Sequence, residues 1–331
     1  MLHRVSPETF GQLFPTPSHV FNSVAFSELN GHKCDDVHYL AFADERGKVR
    51  LGIILGEKAD TLRSPFSAPF GGMEERHAQK VSVYIEALES LKAYARSLNK
   101  SLLITLPPAC YETPSSALSS QYLAALSLGA SLHYSDFNYH YDLSRFPSFK
   151  EDLRPQSRNK LSAAMRNGFD FHYLKGASSE DFERVYSIIK RNHEALGYPL
   201  RMTLDDVIAT SKIIKMDLFV LTKDGSDVAG ALVYHSAPTA SLAKAASSRL
   251  ADGVVQVVYW GDLPEWRSFR PMNFLAYKVI GHYYDNRHVT GVRYFDIGPS
   301  SSEGRPSLGL CDFKESLGCN LTPKATLKFP L

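Results

Sequence analysis

Two early stretches, 37–42 and 49–55, are largely apolar and are separated by the polar run Asp44-Glu45-Arg46-Gly47-Lys48. Strand candidates on either side of a polar, glycine-containing turn predict an antiparallel hairpin. A loop of small residues and prolines, 64–72, leads into a different rhythm over about 79–98. There Val83, Ile85, Leu88, Leu91 and Tyr94 recur near one face, which predicts an amphipathic helix. Residues 102–105 read as a strand stopped by Pro107-Pro108. A short helix over 121–128 then ends at Gly129, a natural occupant of the left-handed turn after a helix.

The pattern repeats after a join at 143–158 rich in Pro, Ser and charge. A strand at 169–174 precedes helices at 179–196 and 204–215, and Asp181 puts a carboxylate in a first turn, where the helix dipole favours it. Strands follow at 218–222, 228–235, 241–247 and 254–260, the first two joined through Lys223-Asp224-Gly225. A helix at 272–286, a strand at 292–297 and a short helix at 311–317 complete the order. Subtracting 189 from later positions pairs Gly261 with Gly72, Ala276 with Ala87, Tyr283 with Tyr94, Leu317-Gly318 with Leu128-Gly129 and Leu321 with Leu132. Tyr259 falls opposite Phe70. A shared register over this span predicts one fold used twice. Phe313-Lys314 faces Ala124-Ala125, so chemistry-bearing residues are expected in the second copy alone.

The predicted fold class is α/β: two tandem N-acetyltransferase-like domains, 1–148 and 149–331, with mixed, mostly antiparallel sheets flanked by helices. A length of 331 residues suits two domains better than one core. No apolar run approaches the roughly 20 residues of a membrane helix, and the N-terminus lacks a signal-peptide core. Cys34, Cys110, Cys311 and Cys319 form no C-x-x-C pair, so thiols in a reducing, cytoplasmic compartment are expected. Twelve histidines show no H-x-x-x-H or H-E-x-x-H spacing, which argues against a catalytic metal.

The net charge of +2 argues against a whole-surface nucleic-acid binder and against DNA as a partner, but it is unevenly spread. From Arg145 to Lys175 seven Lys/Arg stand against three Asp/Glu, and the segment includes Arg158, Asn159, Lys160 and Arg166. Arginine forks suit phosphate; a solvated face of a linker helix is the other reading of the same residues. Phe295-Asp296-Ile297-Gly298 ends a strand before a twelve-residue loop, 299–310, and Phe313-Lys314 follows. A lysine beside a strand end can stabilise an oxyanion, although an ordinary surface lysine fits that position too. Asp296 is the candidate general base, and His235, at a strand end, is a candidate cleft residue. No G-x-S-x-G elbow points to covalent catalysis.

The order of these motifs resembles the FemAB-like family. The resemblance rests on the run from Arg158 through Ala164, Arg166 and Gly168 to Phe171, on Phe295–Gly298 followed by Gly309-Leu310 and Phe313-Lys314, and on Pro69-Phe70-Gly71-Gly72 in the first half. It implies an amide-forming acyltransferase with Lys314 near the donor carbonyl. Arg158, Asn159, Lys160, Arg166, Phe70, Gly71, Gly72, His235, Tyr259 and Phe313 would bind substrate. No tightly bound cofactor is expected; the co-substrate would be an activated acyl donor, as aminoacyl-tRNA, acyl carrier or acyl-CoA. The acceptor would be a small or phosphorylated precursor, and charged tRNA is a candidate partner. An acetyl-CoA-dependent N-acetyltransferase and a non-catalytic phospho-ligand or RNA-binding module are the alternatives. Against the first of these, 267–273 lacks the glycines of a pyrophosphate turn, and Glu74-Glu75 follow Gly71-Gly72.

Overall fold

The computed structural model describes residues 1–237 and 253–330, and the strand expected at 241–247 lies outside them. The first half runs β1 (Leu2–Arg4), α1 (Pro7–Leu13), α2 (Val24–Asn30), β2 (Asp36–Ala43), β3 (Val49–Lys58), β4 (Thr61–Ser64) and β5 (Glu74–Glu75). It continues through α3 (Val81–Ser97), β6 (Ser101–Thr105), α4 (Ala117–Ser127) and β7 (Ser131–Asp142). Helices α5 (Phe149–Asp152) and α6 (Pro155–Met165) form the join. The second half has β8 (Asp170–Tyr173), α7 (Ser179–Leu196), α8 (Leu204–Ser211), β9 (Met216–Lys223), β10 (Ser226–Ala237) and β11 (Gly253–Asp262). It ends with α9 (Pro271–Thr290), β12 (Val292–Pro299), β13 (Ser301–Ser302), β14 (Arg305–Pro306), α10 (Leu308–Glu315) and β15 (Asn320–Phe329).

Local chemistry explains most boundaries. Ser178 and Asp181 form a reciprocal capping box that starts α7, and Gly197 ends it in the left-handed region at φ 68°. Helix α3 buries Tyr84, Ala87, Leu88, Leu91 and Ala95 against the first half's sheet. The expected loop 299–310 instead holds the β13–β14 hairpin and the first turn of α10. Asp136 latches that hairpin to β7, accepting from Ser301 Oγ and the Gly304 N–H.

Among the described residues twelve strands pair in the order β1-β2-β3-β4-β6-β15-β7-β12-β11-β10-β9-β8, with β5 added on β3. Two neighbouring pairs are parallel, β4 with β6 and β11 with β12. The two halves are tied together by hydrogen bonds, because each lends its last strand to the other. β7 lies beside β12, and β15 lies between β6 and β7.

The 189-residue register holds from α3 onward. It carries α10 onto 119–126, inside α4, and β15 onto 131–140, inside β7. Gly129 and Gly318, at φ 82° and 75°, both turn the chain after those helices. Ala87 and Ala276 are both fully buried. The register fails before α3: Gly261 lies within β11, whereas Gly72 lies in the longer loop after β4.

The duplication also reaches a buried polar cluster. Tyr94 on α3 meets His38 Nδ1 on β2 at 2.8 Å, and His38 Nε2 is 3.1 Å from Glu57 on β3. Tyr283 on α9 donates to Asp217 on β9 at 2.7 Å, and Asp217 is 2.6 Å from His235 Nε2 on β10. Acid and histidine have exchanged strands between the copies.

Alternate residues of β9 divide the second half's core. Phe219 and Leu221 pack with α6 and α9, while Leu218 and Val220 pack with α7 and α8. Phe70, Cys110 and Tyr111 of the first half join the second of these clusters.

Candidate functional site

β11 is an interior strand that loses one neighbour halfway along. β12 pairs with it only from Gly253–Val292 to Gln256–Asp296, then leaves it while staying paired with β7 through Pro299. A bulge in β11, opposite Leu232 and Val233, lies at the same point. Residues 257–262 therefore have no strand partner on that side among the described residues, and Val258, Tyr259 and Trp260 are half-exposed. Unpaired backbone groups on an interior strand form a slot that an extended ligand arm can occupy.

The first half has the corresponding divergence, since β4 and β6 part after Ser64–Ile104. Its own chain fills the gap. Gly71 N donates to Thr105 O at 2.9 Å, Gly72 N to Ser64 Oγ at 3.0 Å, and Met73 exchanges two hydrogen bonds with Gln121. A Cβ at Gly71 would collide with Ser64, so glycine is required there. One slot is plugged by its own chain, and the other has no strand in it among the described residues.

Asp296 lies at the base of the open slot and is fully buried. Oδ1 accepts from Asn138 Nδ2 at 2.8 Å and Gly298 N at 2.9 Å; Oδ2 accepts from Gln256 Nε2 at 2.8 Å and Tyr111 O–H at 3.2 Å. Lys314, buried on α10, donates to Gly298 O at 2.8 Å and Pro299 O at 2.9 Å. Two of its three donors are thereby used. Burial pushes its ammonium down to about 8, and the Asp296 carboxylate partly opposes that shift. Asp296 and Lys314 thus meet across one residue, Gly298.

The other residues expected at a site divide into three groups. Tyr259 and Phe313 border the slot, Tyr259 against His193 at 5.7 Å and Phe313 edge-on to Trp260 at 5.7 Å. Phe70 lies one layer behind it, 4.6 Å from Tyr111 and closed to solvent. Gly71 and Gly72 are held by the first half, and their carbonyls are taken by His19 and Asn22. His235 lies under α9, level with the paired part of β11 and β12, and belongs to the Asp217 cluster.

Arg158 and Asn159 are exposed on α6, Lys160 on it is half-buried, and Arg166 is exposed just after it. This helix packs on the α9 face, whereas Phe70 packs on the opposite face, so the two do not line one cleft. Just beyond α6, Asn167 Nδ2 donates to Phe269 O at 2.8 Å, two residues before α9 begins. Tyr111, Asn138 and Gln256 do not stand out in the sequence. They lie far from Asp296 along the chain, and no spacing connects them.

No protein-family model matches this sequence, and no curated protein is detectably similar to it. Solved structures do match along its whole length. FemX superposes with a TM-score of 0.67 at 11% identity, covering 100% of this chain and 97% of its own. The chain has the tandem N-acetyltransferase fold of the FemAB-like proteins. L-PGS from Bacillus licheniformis matches with a TM-score of 0.58 at 13% identity over 98% of this chain and 92% of that one. A tandem GNAT protein from the clavulanic acid biosynthesis pathway matches at 0.53 and 11% identity over 99% and 98%. No helix among the described residues is long and apolar enough to cross a membrane.

Proposed function

We propose that this FemAB-like chain is an acyltransferase that forms an amide bond, using an activated acyl or aminoacyl donor held in the β11–β12 slot. The acceptor amine attacks the donor carbonyl carbon, and negative charge develops on the carbonyl oxygen. The bond to the donor's ester oxygen or thioester sulfur then breaks, the amine gives up a proton, and the leaving group takes one. Lys314, the buried ammonium where β12 turns away, would stabilise the oxyanion. The exposed cationic face of α6, whose end lies near the segment that leads into α9, would take phosphate on the donor.

The observation that carries this reading is the asymmetry of the two slots. The half with Lys314 keeps its slot open, while the half with Ala125 at the corresponding position fills its own. The second half is read as the acting one and the first as its support. Coenzyme A is the less favoured donor. Arg270, at φ 59°, and Pro271 open α9, and proline has no N–H for a pyrophosphate.

Binding stoichiometry and transfer test the reading together. Calorimetry with an aminoacyl-tRNA analogue, an acyl-pantetheine and an acyl-CoA is expected to give one donor per chain, and the binding donor should acylate an amine. Two equivalents bound, or no donor bound, would sink it. Affinity for RNA that falls steeply with salt without any transfer would instead favour a binding module.

A further inference from the structure

We propose that Tyr111 and Asp296 are positioning residues for Lys314: a buried hydrogen-bond chain runs from the first half of the molecule to the base of the slot and fixes Gly298 against the lysine ammonium. The inference rests on the reading of Lys314 given above, and it assigns Asp296 a role other than general base.

A base needs a lone pair that the substrate can reach. Asp296 is closed to solvent and accepts from four donors on four different segments: β7, β11, the Gly298 backbone, and residues 109–111 of the first half. The lone pairs that proton abstraction would use are therefore occupied. What the carboxylate holds is Gly298, whose N–H goes to Asp296 while its C=O accepts from Lys314. Gly298 sits at φ 74°, in the left-handed region, so two side chains clamp the residue at which β12 leaves β11.

Tyr111 closes the chain from the other half. Its hydroxyl is 3.2 Å from Asp296 Oδ2 and 2.7 Å from Ser236 Oγ. One phenolic proton cannot serve both; the charged acceptor takes it, and the single Ser236 hydroxyl proton is then shared between the tyrosine oxygen and Val254 O, 3.1 Å away. Burial and the Asp296 charge push the Tyr111 phenol well above its ordinary value, which keeps it protonated as a donor. The groups facing Lys314 are Asp296 on β12, Cys311 on its own helix, Cys319 beyond it, Lys324 on β15 and the Tyr139 ring on β7. Asp296 is the carboxylate among those named.

The test uses the full chain with lysine labelled at 13Cε, and the Lys314 resonance is identified by its loss in Lys314→Arg. Asp296→Asn removes the facing negative charge and is expected to lower the Lys314 midpoint by about one unit. Tyr111→Phe keeps the ring packing and is expected to speed hydrogen exchange of the Gly298 amide about tenfold. An unmoved lysine midpoint in the first variant, or unmoved Gly298 exchange in the second, overturns the proposal. Should Asp296→Asn not fold, the Tyr111→Phe measurement decides by itself. Neither readout needs a substrate, so a negative result here leaves the acyltransferase reading standing. Failure of every donor to bind would count against that reading and not against the hydrogen-bond chain.

Discussion

At the scale of single residues, Lys314 carries most of the proposed chemistry. Removing an oxyanion donor typically costs about 10²–10³ in turnover, and Lys314→Ala is expected to fall in that range once a donor is found. Near-normal turnover would show that the role given to Lys314 is wrong. Its folded-state midpoint of about 8 lies below the ordinary 10.5. Between those values the unfolded chain binds more protons than the folded one, so this group makes stability rise with pH across the window. Urea titrations at several pH values should show that contribution in the native protein and its loss in Lys314→Met. Arg158 has a smaller structural role. It donates to Glu151 O at 2.9 Å and Leu153 O at 3.1 Å while remaining exposed. Arg158→Ala should therefore cost only about 1 kcal/mol of stability, while phosphate-dependent binding measured by calorimetry weakens about tenfold.

At the scale of elements, both copies hold a tyrosine on the long helix against a histidine–carboxylate pair on two strands. The exchange of acid and histidine keeps the pairing while changing its members, as expected when the contact matters more than either residue. In the second half, hydrogen bonds from His235, Tyr283 and Tyr173 outweigh burial and hold the Asp217 carboxyl down to about 2. Relative to the ordinary 3.8, its contribution is present above that value and lost as pH falls through about 2. The shift corresponds to about 2 kcal/mol. Acid denaturation of Asp217→Asn should lack that component; identical acid midpoints would show that the cluster does not set stability. The plugged slot of the first half makes a second demand. Gly71→Ala drives a methyl into Ser64 and should destabilise by about 1–3 kcal/mol, visible as a lower melting temperature.

At the scale of the whole molecule, the exchanged strands make the halves interdependent. β15 completes the ladder between β6 and β7, so truncation after residue 319 removes the middle of the sheet. The truncated chain is expected to lose cooperative unfolding, and the intact chain is expected to unfold in one transition by calorimetry. A truncated chain that keeps a sharp transition would show that each half stands alone. Much of the element order was determined by the sequence, because the two apolar runs about a glycine turn, the span of α3 and the glycines after α4 and α10 are local patterns with local causes. Of the expected α3 face only Leu88 and Leu91 are fully buried, with Tyr84, Ala87 and Ala95 beside them. β7 escaped that logic. One of its faces carries Tyr139 and Tyr141, and the other carries Asp136, Asn138 and His140, all buried, so no apolar alternation marks it. β15 escaped for the same reason, since Lys324 and Thr326 are buried polar residues on it. The site divided similarly. Asp296, Phe313 and Lys314 stood out by position near a strand end and a short helix. Their meeting at Gly298, the Tyr111 contact and the plugging of one slot were decided by tertiary structure, because hydrogen bonds between residues up to 185 positions apart leave no periodicity in the chain.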